Sequence, residues 1–273
     1  MKKISIILSA AVILAACSNR EFTIVHMSDP QVGFHDDTEH FVHSDSLFSA
    51  AVEAINALKP EAVVITGDLV NDPAIEEQHE IYAAHVADIQ APVYAVPGNH
   101  DIRGYTEEKR HAFLERYGYD CFAFSVKDAY FIGINSDCIK DGAEEAEAGQ
   151  LEWLVNELQN AQGSKHIVVC MHCPVIREEI DEPEDYFNFP VEKRQEYISL
   201  FKENGVDLVL AGHTHKSFIT EYEGILFTAA GPVGNAFKPC YPGFNVIKFG
   251  RKGISVEYVN TPGMDLSQSS FEE

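Results

Sequence analysis

Five short runs of apolar, largely β-branched residues punctuate the chain: Phe22 to Met27, Ala62 to Ile65, Val93 to Val96, His166 to Met171 and Val206 to Leu210. Each is apolar through most of its length instead of alternating, which predicts a strand buried on both faces, as in a sheet covered by helices. Between most of these runs the pattern lengthens to a helical period. Ser44 or Asp45 is placed to cap a helix whose apolar face is Leu47, Ala51, Ile55 and Leu58, and Pro60 requires it to end. Residues 74–89, 106–117, 147–160 and 191–204 predict further helices, with Gly205 placed to stop the last. Tyr130 to Ile134, Ile225 to Ala229, Phe244 to Phe249 and Ile254 to Val259 predict strands joined by Gly-containing turns, more like antiparallel pairs. Strand–helix alternation with added hairpins predicts a layered α/β or α+β sandwich. No repeat or low-complexity linker divides it, so a single domain is expected over residues 22–260, with a polar tail over 261–273.

Ahead of the first strand, Lys2-Lys3 precede a mostly apolar run from Ile4 to Ala16. That run is shorter than the roughly 20 residues a membrane-spanning helix needs. It ends Leu14-Ala15-Ala16-Cys17, which resembles a bacterial lipoprotein signal with its lipobox. The resemblance implies a signal peptide over 1–16, cleavage after Ala16, lipid on Cys17 and a short tether over 17–21. It also implies localisation in the bacterial cell envelope, outer-membrane or periplasm-facing, with the membrane as a partner through the lipid anchor; the alternative is an ordinary secretory signal with an incidental cysteine. Outside the cytoplasm thiols can pair, and the five cysteines beyond Cys17 are an odd number, so at least one is free in a monomer. Cys170 and Cys173 form a lone CxxC, weak evidence for zinc, and Cys170 lies in an apolar run that predicts a small buried residue.

The chain has 273 residues, 45% apolar and 23% charged, a globular balance. Its net charge of −23, which becomes −25 once Lys2 and Lys3 are removed, argues against nucleic acid as a partner. Binding a phosphate backbone gains its free energy from clustered Lys and Arg, and adjacent basic residues here come only in pairs.

The polar residues after the five runs carry the chemistry. They are Asp29-Pro30-Gln31, Gly67-Asp68, Gly98-Asn99-His100-Asp101, His172 and Gly212-His213-Thr214-His215. In an open α/β sheet ligands bind beyond the carboxyl ends of the strands, so these sets are expected to converge on one crevice. Asp, Asn, Gln and His are metal ligands, and glycines permit tight turns behind them. Singly, each piece has an ordinary explanation: a helix cap, a turn, a hydrogen-bonded core histidine. Five in succession after buried strands are hard to assign to structure alone.

This series resembles the calcineurin-like metallophosphoesterase superfamily across essentially the whole domain. Asp-Pro-Gln at 29–31, Tyr-Phe-Asn at 186–188 and the helix at 191–204 make it most similar to the branch called calcineurin-like phosphoesterase domain-containing protein 1. The resemblance implies a four-layer α/β/β/α sandwich and two divalent metal ions, drawn from Mn, Fe, Mg or Zn. It would place Asp29, Gln31, Asp68 and His215 on one metal and Asp68, Asn99, His172 and His213 on the other, with Asp68 bridging. A bridging hydroxide would attack phosphorus, as two-metal sites allow. His100 would protonate the leaving oxygen or stabilise the transition state, with Asp101 orienting its ring. The chain departs from the family at Gln31, where His is usual. An amide oxygen there favours Mn²⁺, Mg²⁺ or Fe over Zn²⁺ and a weaker first site; the alternative puts Gln31 behind a first metal with fewer protein ligands.

The implied function is hydrolysis of a small phosphate ester, as a phosphomonoesterase or a phosphodiesterase. The competing reading is a catalytically weak or inactive metal- or phosphate-binding surface lipoprotein that retains the fold. Asn71 is expected to hydrogen-bond behind the ligands or to serve a turn, and His35 is a candidate for lining the pocket. The long irregular segment from Arg177 to Pro190 carries Glu178, Glu179, Asp181, Glu182, Glu184 and Asp185, a set expected to repel polyanions.

Overall fold

The computed structural model describes residues 21–263 and 269–271. The chain opens with β1 (Phe22–Met27), α1 (Val42–Leu58), β2 (Ala62–Thr66), α2 (Glu76–Asp88) and β3 (Val93–Val96). Then come α3 (Asn99–Ile102), α4 (Glu107–Tyr117), β4 (Phe122–Val126), β5 (Ala129–Gly133), α5 (Asp137–Lys140) and α6 (Glu144–Asn160). β6 (His166–Cys170), α7 (Val191–Glu203), β7 (Leu208–Ala211), β8 (Phe218–Tyr222) and β9 (Ile225–Ala229) follow. The last strands are β10 (Ala236–Phe237), β11 (Gly243–Gly250), β12 (Gly253–Asn260) and β13 (Ser270–Phe271).

Two mixed sheets result, ordered β12-β11-β1-β2-β3 and β4-β5-β6-β7-β9-β8. β1, β2 and β3 run parallel, as do β5, β6, β7 and β9, while β11, β12, β4 and β8 join antiparallel. The alternation of side chains along a strand sorts the apolar runs into three cores. Ile24, Val64, Val168, Cys170, Leu208 and Leu210 point between the sheets. Val25, Met27, Val63 and Ile65 point outward against Phe48, Val52 and Ile55 of α1, Tyr82 of α2 and Phe113 of α4. On the far side Ile167, Val169 and Val209 pack on Leu154 and Leu158 of α6 and Tyr197, Ile198 and Phe201 of α7. The layers are therefore helix, sheet, sheet, helix, in one domain. Phe249 stacks on Phe22 within the first sheet at 4.7 Å and meets Phe131 of the second edge-on at 5.9 Å, joining the two.

Strands buried on both faces read correctly from sequence because both their faces are apolar. β4 and β8 have no counterpart in that reading, since alternate residues such as Ala123, Ser125, Ile219 and Glu221 face solvent. The expected cap of α1 is corrected: the helix begins at Val42, and Asp36 in the preceding loop accepts from the Ser44 N–H at 2.6 Å. Ser44 instead turns its hydroxyl to the Gly33 N–H. Within the segment after residue 260, Ser270–Phe271 pairs in parallel with β10. All five cysteines in the described residues are unpaired, and Cys170 is fully buried as expected. No helix of the described residues is long and apolar enough to cross a membrane, and the signal segment and Cys17 lie outside the described residues.

Candidate metal centre

Parallel pairing within each sheet brings the carboxyl ends of β1, β2 and β3 to one edge, and those of β6 and β7 beside them. The loops are then tied to one another. The Asp29 N–H donates to the Gly67 carbonyl at 3.1 Å, Gln31 N–H to the Asp68 carbonyl at 2.8 Å, and Gly212 N–H to the His172 carbonyl at 2.9 Å. Asp29, Gln31, Asp68, His213 and His215 all adopt positive φ, between 35° and 68°. A non-glycine residue there costs about 1–3 kcal/mol, and such strain gathers at functional sites. Two glycines let the loops close in: a Cβ on Gly98 would lie 2.3 Å from Asp68 Oδ1, and one on Gly212 would lie 1.7 Å from Ser28 Oγ.

Among the described residues two clusters of metal-ligating atoms result, Asp68 with His172 and His213, and Asp29 with Asp68 and His215. Within each, one atom per residue lies within 4.8 Å of the others, and Asp68 belongs to both. The imidazoles are oriented by backbone carbonyls, the arrangement that fixes a ligand's tautomer. His172 Nδ1 meets the Thr66 carbonyl at 2.7 Å, His215 Nδ1 the Asn235 carbonyl at 2.8 Å, and His213 Nε2 the Tyr186 carbonyl at 2.8 Å. His172 Nε2 consequently faces Asn99 Oδ1 at 3.0 Å and Asp68 Oδ2 at 3.4 Å, and His215 Nε2 faces Asp29 Oδ1 at 3.5 Å. Asp29 Oδ1 and Gln31 Oε1 are buried and make no hydrogen bond among the described residues. A buried oxygen without a partner costs about 1–3 kcal/mol, and a cation would satisfy both, so the residues present fit a pair of divalent ions.

The electrostatics agree. Burial pushes the Asp29 carboxyl up, the nearby His215 only partly offsetting it. Burial acts on Asp68 likewise, but His172, His100 and His213 outweigh it and hold that carboxyl below the usual range. His172 is buried, which opposes its charge, yet Asp68 and Asp29 raise it to about 10. Two buried carboxylates thus demand positive charge at this point. Burial and the neighbouring His172 lower His213 to about 3, leaving it the neutral imidazole a metal requires.

His100 stands at the rim. Its backbone N–H donates to Asp68 Oδ1 at 2.8 Å, and its Nδ1 meets the Asn71 carbonyl at 3.0 Å. The expectation that Asp101 orients this ring is corrected. The Asp101 carboxylate accepts from the backbone N–H groups of Leu69, Val70 and Gly98 at 2.8–3.2 Å, which fixes the turn carrying Asp68. Burial, then the Asp68 charge, raises its carboxyl to about 7. The ring is set by Asn71, whose carbonyl also accepts from Arg103 Nη2 at 2.9 Å and whose Oδ1 lies 3.4 Å from Gln31 Nε2.

Residues outside the motifs complete the surroundings. The Phe34 ring lies 4.7 Å from His215, and Tyr186 and Phe187 lie 4.6 and 5.4 Å from His213. Asn235, held by His43, sets His215. Asp137 is buried nearby, burial raising its carboxyl, with Oδ2 unpartnered. Only the Tyr-Phe-Asn segment gave a sequence signal for any of these. His35 meets Phe34 edge-on at 4.5 Å and stacks on Phe271 at 4.6 Å, and His26, sealed in the core, is lowered to about 3 by burial. The acidic segment is less available than its composition suggests. Glu182 is buried against the Arg177, Glu178 and Glu179 N–H groups, Asp185 pairs with Arg177 at 2.6 Å, and Glu184 accepts from the Val191 N–H.

Residues 22–217 match the family model described as calcineurin-like phosphoesterase. The chain is 31% identical over 235 residues to the serine/threonine-protein phosphatase CPPED1 of Rattus norvegicus, covering 78% of this chain and 75% of that protein. The human protein of that name is 31% identical over 241 residues, covering 83% and 76%. A probable glycerophosphodiester phosphodiesterase, GpdQ of Arcobacter nitrofigilis, is 27% identical over 183 residues, 64% of each chain. In structure, a dimetal phosphatase from Danio rerio superposes with a TM-score of 0.66 at 15% identity over 88% of this chain and 99% of the other. A purple acid phosphatase of yellow lupin gives 0.69 at 15% identity over 91% and 53%; at such identities the likeness is one of fold.

Proposed function

This chain belongs to the calcineurin-like phosphoesterase family and is a metal-dependent phosphoesterase, and from that premise we propose a two-metal hydrolase of small phosphate esters, carried on a lipid-anchored protein of the bacterial envelope. The observation that carries the two-metal reading is the pair of ligand clusters sharing Asp68, with the buried oxygens of Asp29 and Gln31 left unpartnered beside them. Asp29, Gln31, Asp68 and His215 would hold one cation, and Asp68, Asn99, His172 and His213 the other. Two such ions supply Lewis acidity on a phosphoryl oxygen and a nucleophile at neutral pH.

The chain's own groups do the rest. The Asp68 carboxylate is fixed between the His100 N–H and His172. Because His100 Nδ1–H is engaged by the Asn71 carbonyl, its Nε2 is the nitrogen left for substrate. Protonating a leaving oxygen from there requires the imidazolium form. Asp101 acts through the backbone, keeping the Asp68 turn closed, and is not a proton carrier to His100.

The Leu14 to Cys17 lipobox supports envelope anchoring, and a protein held there meets small exported phosphoesters or phospholipid fragments more readily than cytosolic phosphoproteins. CPPED1 is named for protein phosphatase activity and GpdQ for a glycerophosphodiester; the deficit of basic residues favours a small ester over a long polyanion. The test is hydrolysis of a chromogenic phosphomonoester and phosphodiester with Mn²⁺, Mg²⁺ and Zn²⁺, alongside Asp68→Ala. Turnover that depends on metal and vanishes in the variant is expected. Absence of turnover with every metal would favour the binding-protein reading, and equal turnover in Asp68→Ala would refute the role given to Asp68. Incorporation of labelled palmitate into the wild type but not into Cys17→Ala tests the anchor.

A further inference from the structure

We infer that Tyr186 is a positioning residue that orients two ligands of the second metal site, Asn99 through its hydroxyl and His213 through its backbone carbonyl; this rests on the two-metal reading above. An amide side chain has one oxygen and one NH₂ end, and only the oxygen can face a cation. Asn99 donates from Nδ2 to Tyr186 Oη at 2.7 Å, which leaves Oδ1 directed at His172 Nε2, 3.0 Å away, on the side of the Asp68 cluster. An imidazole presents the same choice. His213 Nε2 meets the Tyr186 carbonyl at 2.8 Å, so it carries the proton and Nδ1 keeps the lone pair for the cluster with Asp68 and His172. Asn99 opens α3 and His213 follows β7, so a single residue sets ligands delivered by two different sheets. The ring adds contact, lying 4.6 Å from the His213 ring.

Tyr186 is 55% exposed, and burial alone would not hold it. The strap that carries it is pinned instead. Lys140 Nζ donates to the carbonyls of Asp185 and Asn188, on either side of Tyr186, at 2.6 Å each. The wholly buried Arg194 donates to the carbonyls of Phe189, Ile180 and Glu182. Asn188 Nδ2 bonds the Glu182 carboxylate and the Pro183 carbonyl. In the other cluster His215 takes its orientation from the Asn235 carbonyl, outside this strap. The effect of Tyr186 is therefore confined to one of the two sites.

The experiment titrates the metal-free full chain with Co²⁺, following heat and visible absorption, for the wild type, Tyr186→Phe and Lys140→Met. Tyr186→Phe keeps the ring and the carbonyl and removes only the acceptor for Asn99. It is expected to weaken one of two Co²⁺ sites by about 10-fold, toward the lower end of the 10–100-fold seen when outer-shell partners are lost. The other site and the metal-free melting temperature should be unchanged, while the Co²⁺ absorption band of the weakened site shifts. Lys140→Met, which frees the carbonyl side, should weaken the same site. Two wild-type sites with unaltered affinities and spectrum in Tyr186→Phe would overturn the inference and leave the two-metal reading standing. Equal weakening of both sites with a lower melting temperature would also overturn it, since that is the mark of a general structural role. A wild type that binds no Co²⁺ would remove the two-metal reading itself, and the inference with it.

Discussion

Replacing Gly98 by alanine adds one carbon where the loops after β2 and β3 touch. Gly98 has φ −120° and ψ 176°, extended backbone that alanine adopts without strain, so any effect comes from contact. The new Cβ would lie 2.3 Å from Asp68 Oδ1, 2.4 Å from the Asp68 nitrogen and 2.9 Å from its Cγ, where ordinary contact begins at 3.4 Å. The carboxylate can swing away, but the backbone nitrogen cannot, so the two loops must part by about 1 Å. Overpacking of this kind costs about 1–3 kcal/mol of stability. A misplacement near 1 Å at a reacting group costs about 100-fold in rate, or about 2.7 kcal/mol of barrier. Asp68 serves both clusters, so affinity at both metal sites should fall together. The assay is kcat/KM for a chromogenic phosphoester with Mn²⁺, with metal titration and a melting curve on the same sample. Activity within threefold of wild type at unchanged metal affinity would refute the claim that this contact sets Asp68. Gly118→Ala is the counterpart: no atom of the described residues lies within 4 Å of its Cβ, but its φ is +87°, so about 1 kcal/mol of stability should go with kcat/KM untouched.

Three further outcomes are expected. Gln31→His, which puts an imidazole where the unpartnered Oε1 stands, should raise activity with Zn²⁺ relative to Mn²⁺, read as the ratio of metal-dependent rates; an unchanged ratio would show that Gln31 does not face a metal. Burial works to raise the Glu182 carboxyl, but the Glu178, Arg177 and Glu179 N–H groups and the Asn188 amide outweigh it and hold it below the usual range. A depressed carboxyl stabilises the fold above its unfolded value and loses that contribution as pH falls through the folded one. Protection of residues 177–190 against hydrogen exchange, taken relative to the intrinsic amide rate at each pH, should therefore fall in acid below the ordinary glutamate range, and Glu182→Gln should show lower protection at neutral pH with less dependence on acid. Arg194→Met strands three buried carbonyls, each costing about 1–3 kcal/mol, and should lower the melting temperature by several degrees or abolish folding.

Local pattern along the chain is enough to specify the layers and the order in which functional groups arrive. Runs such as Ala62 to Ile65 and Val206 to Leu210 are apolar on both faces, and a strand of that kind has no stable place except between two packed layers. Asp29, Asp68, Asn99, His172 and His213 each follow such a strand, so their convergence was legible from local pattern and the parallel-sheet rule together. Edge strands β4 and β8 were not legible, because half of each faces water and the apolar signal falls with it.

Which atom of each side chain faces the centre depends instead on the assembled fold. The carbonyls of Thr66, Tyr186 and Asn235 choose among the imidazole nitrogens of His172, His213 and His215, and all three lie far from those residues in the chain. For the same reason Asp101 could be placed beside His100 in sequence and yet spend its carboxylate on the backbone of Leu69, Val70 and Gly98. Residue type and spacing fix which chemistry is available. Hydrogen bonds across 20 to 40 or more positions fix its direction, because an amide or an imidazole has two different ends and its own stretch of sequence gives no reason to prefer one.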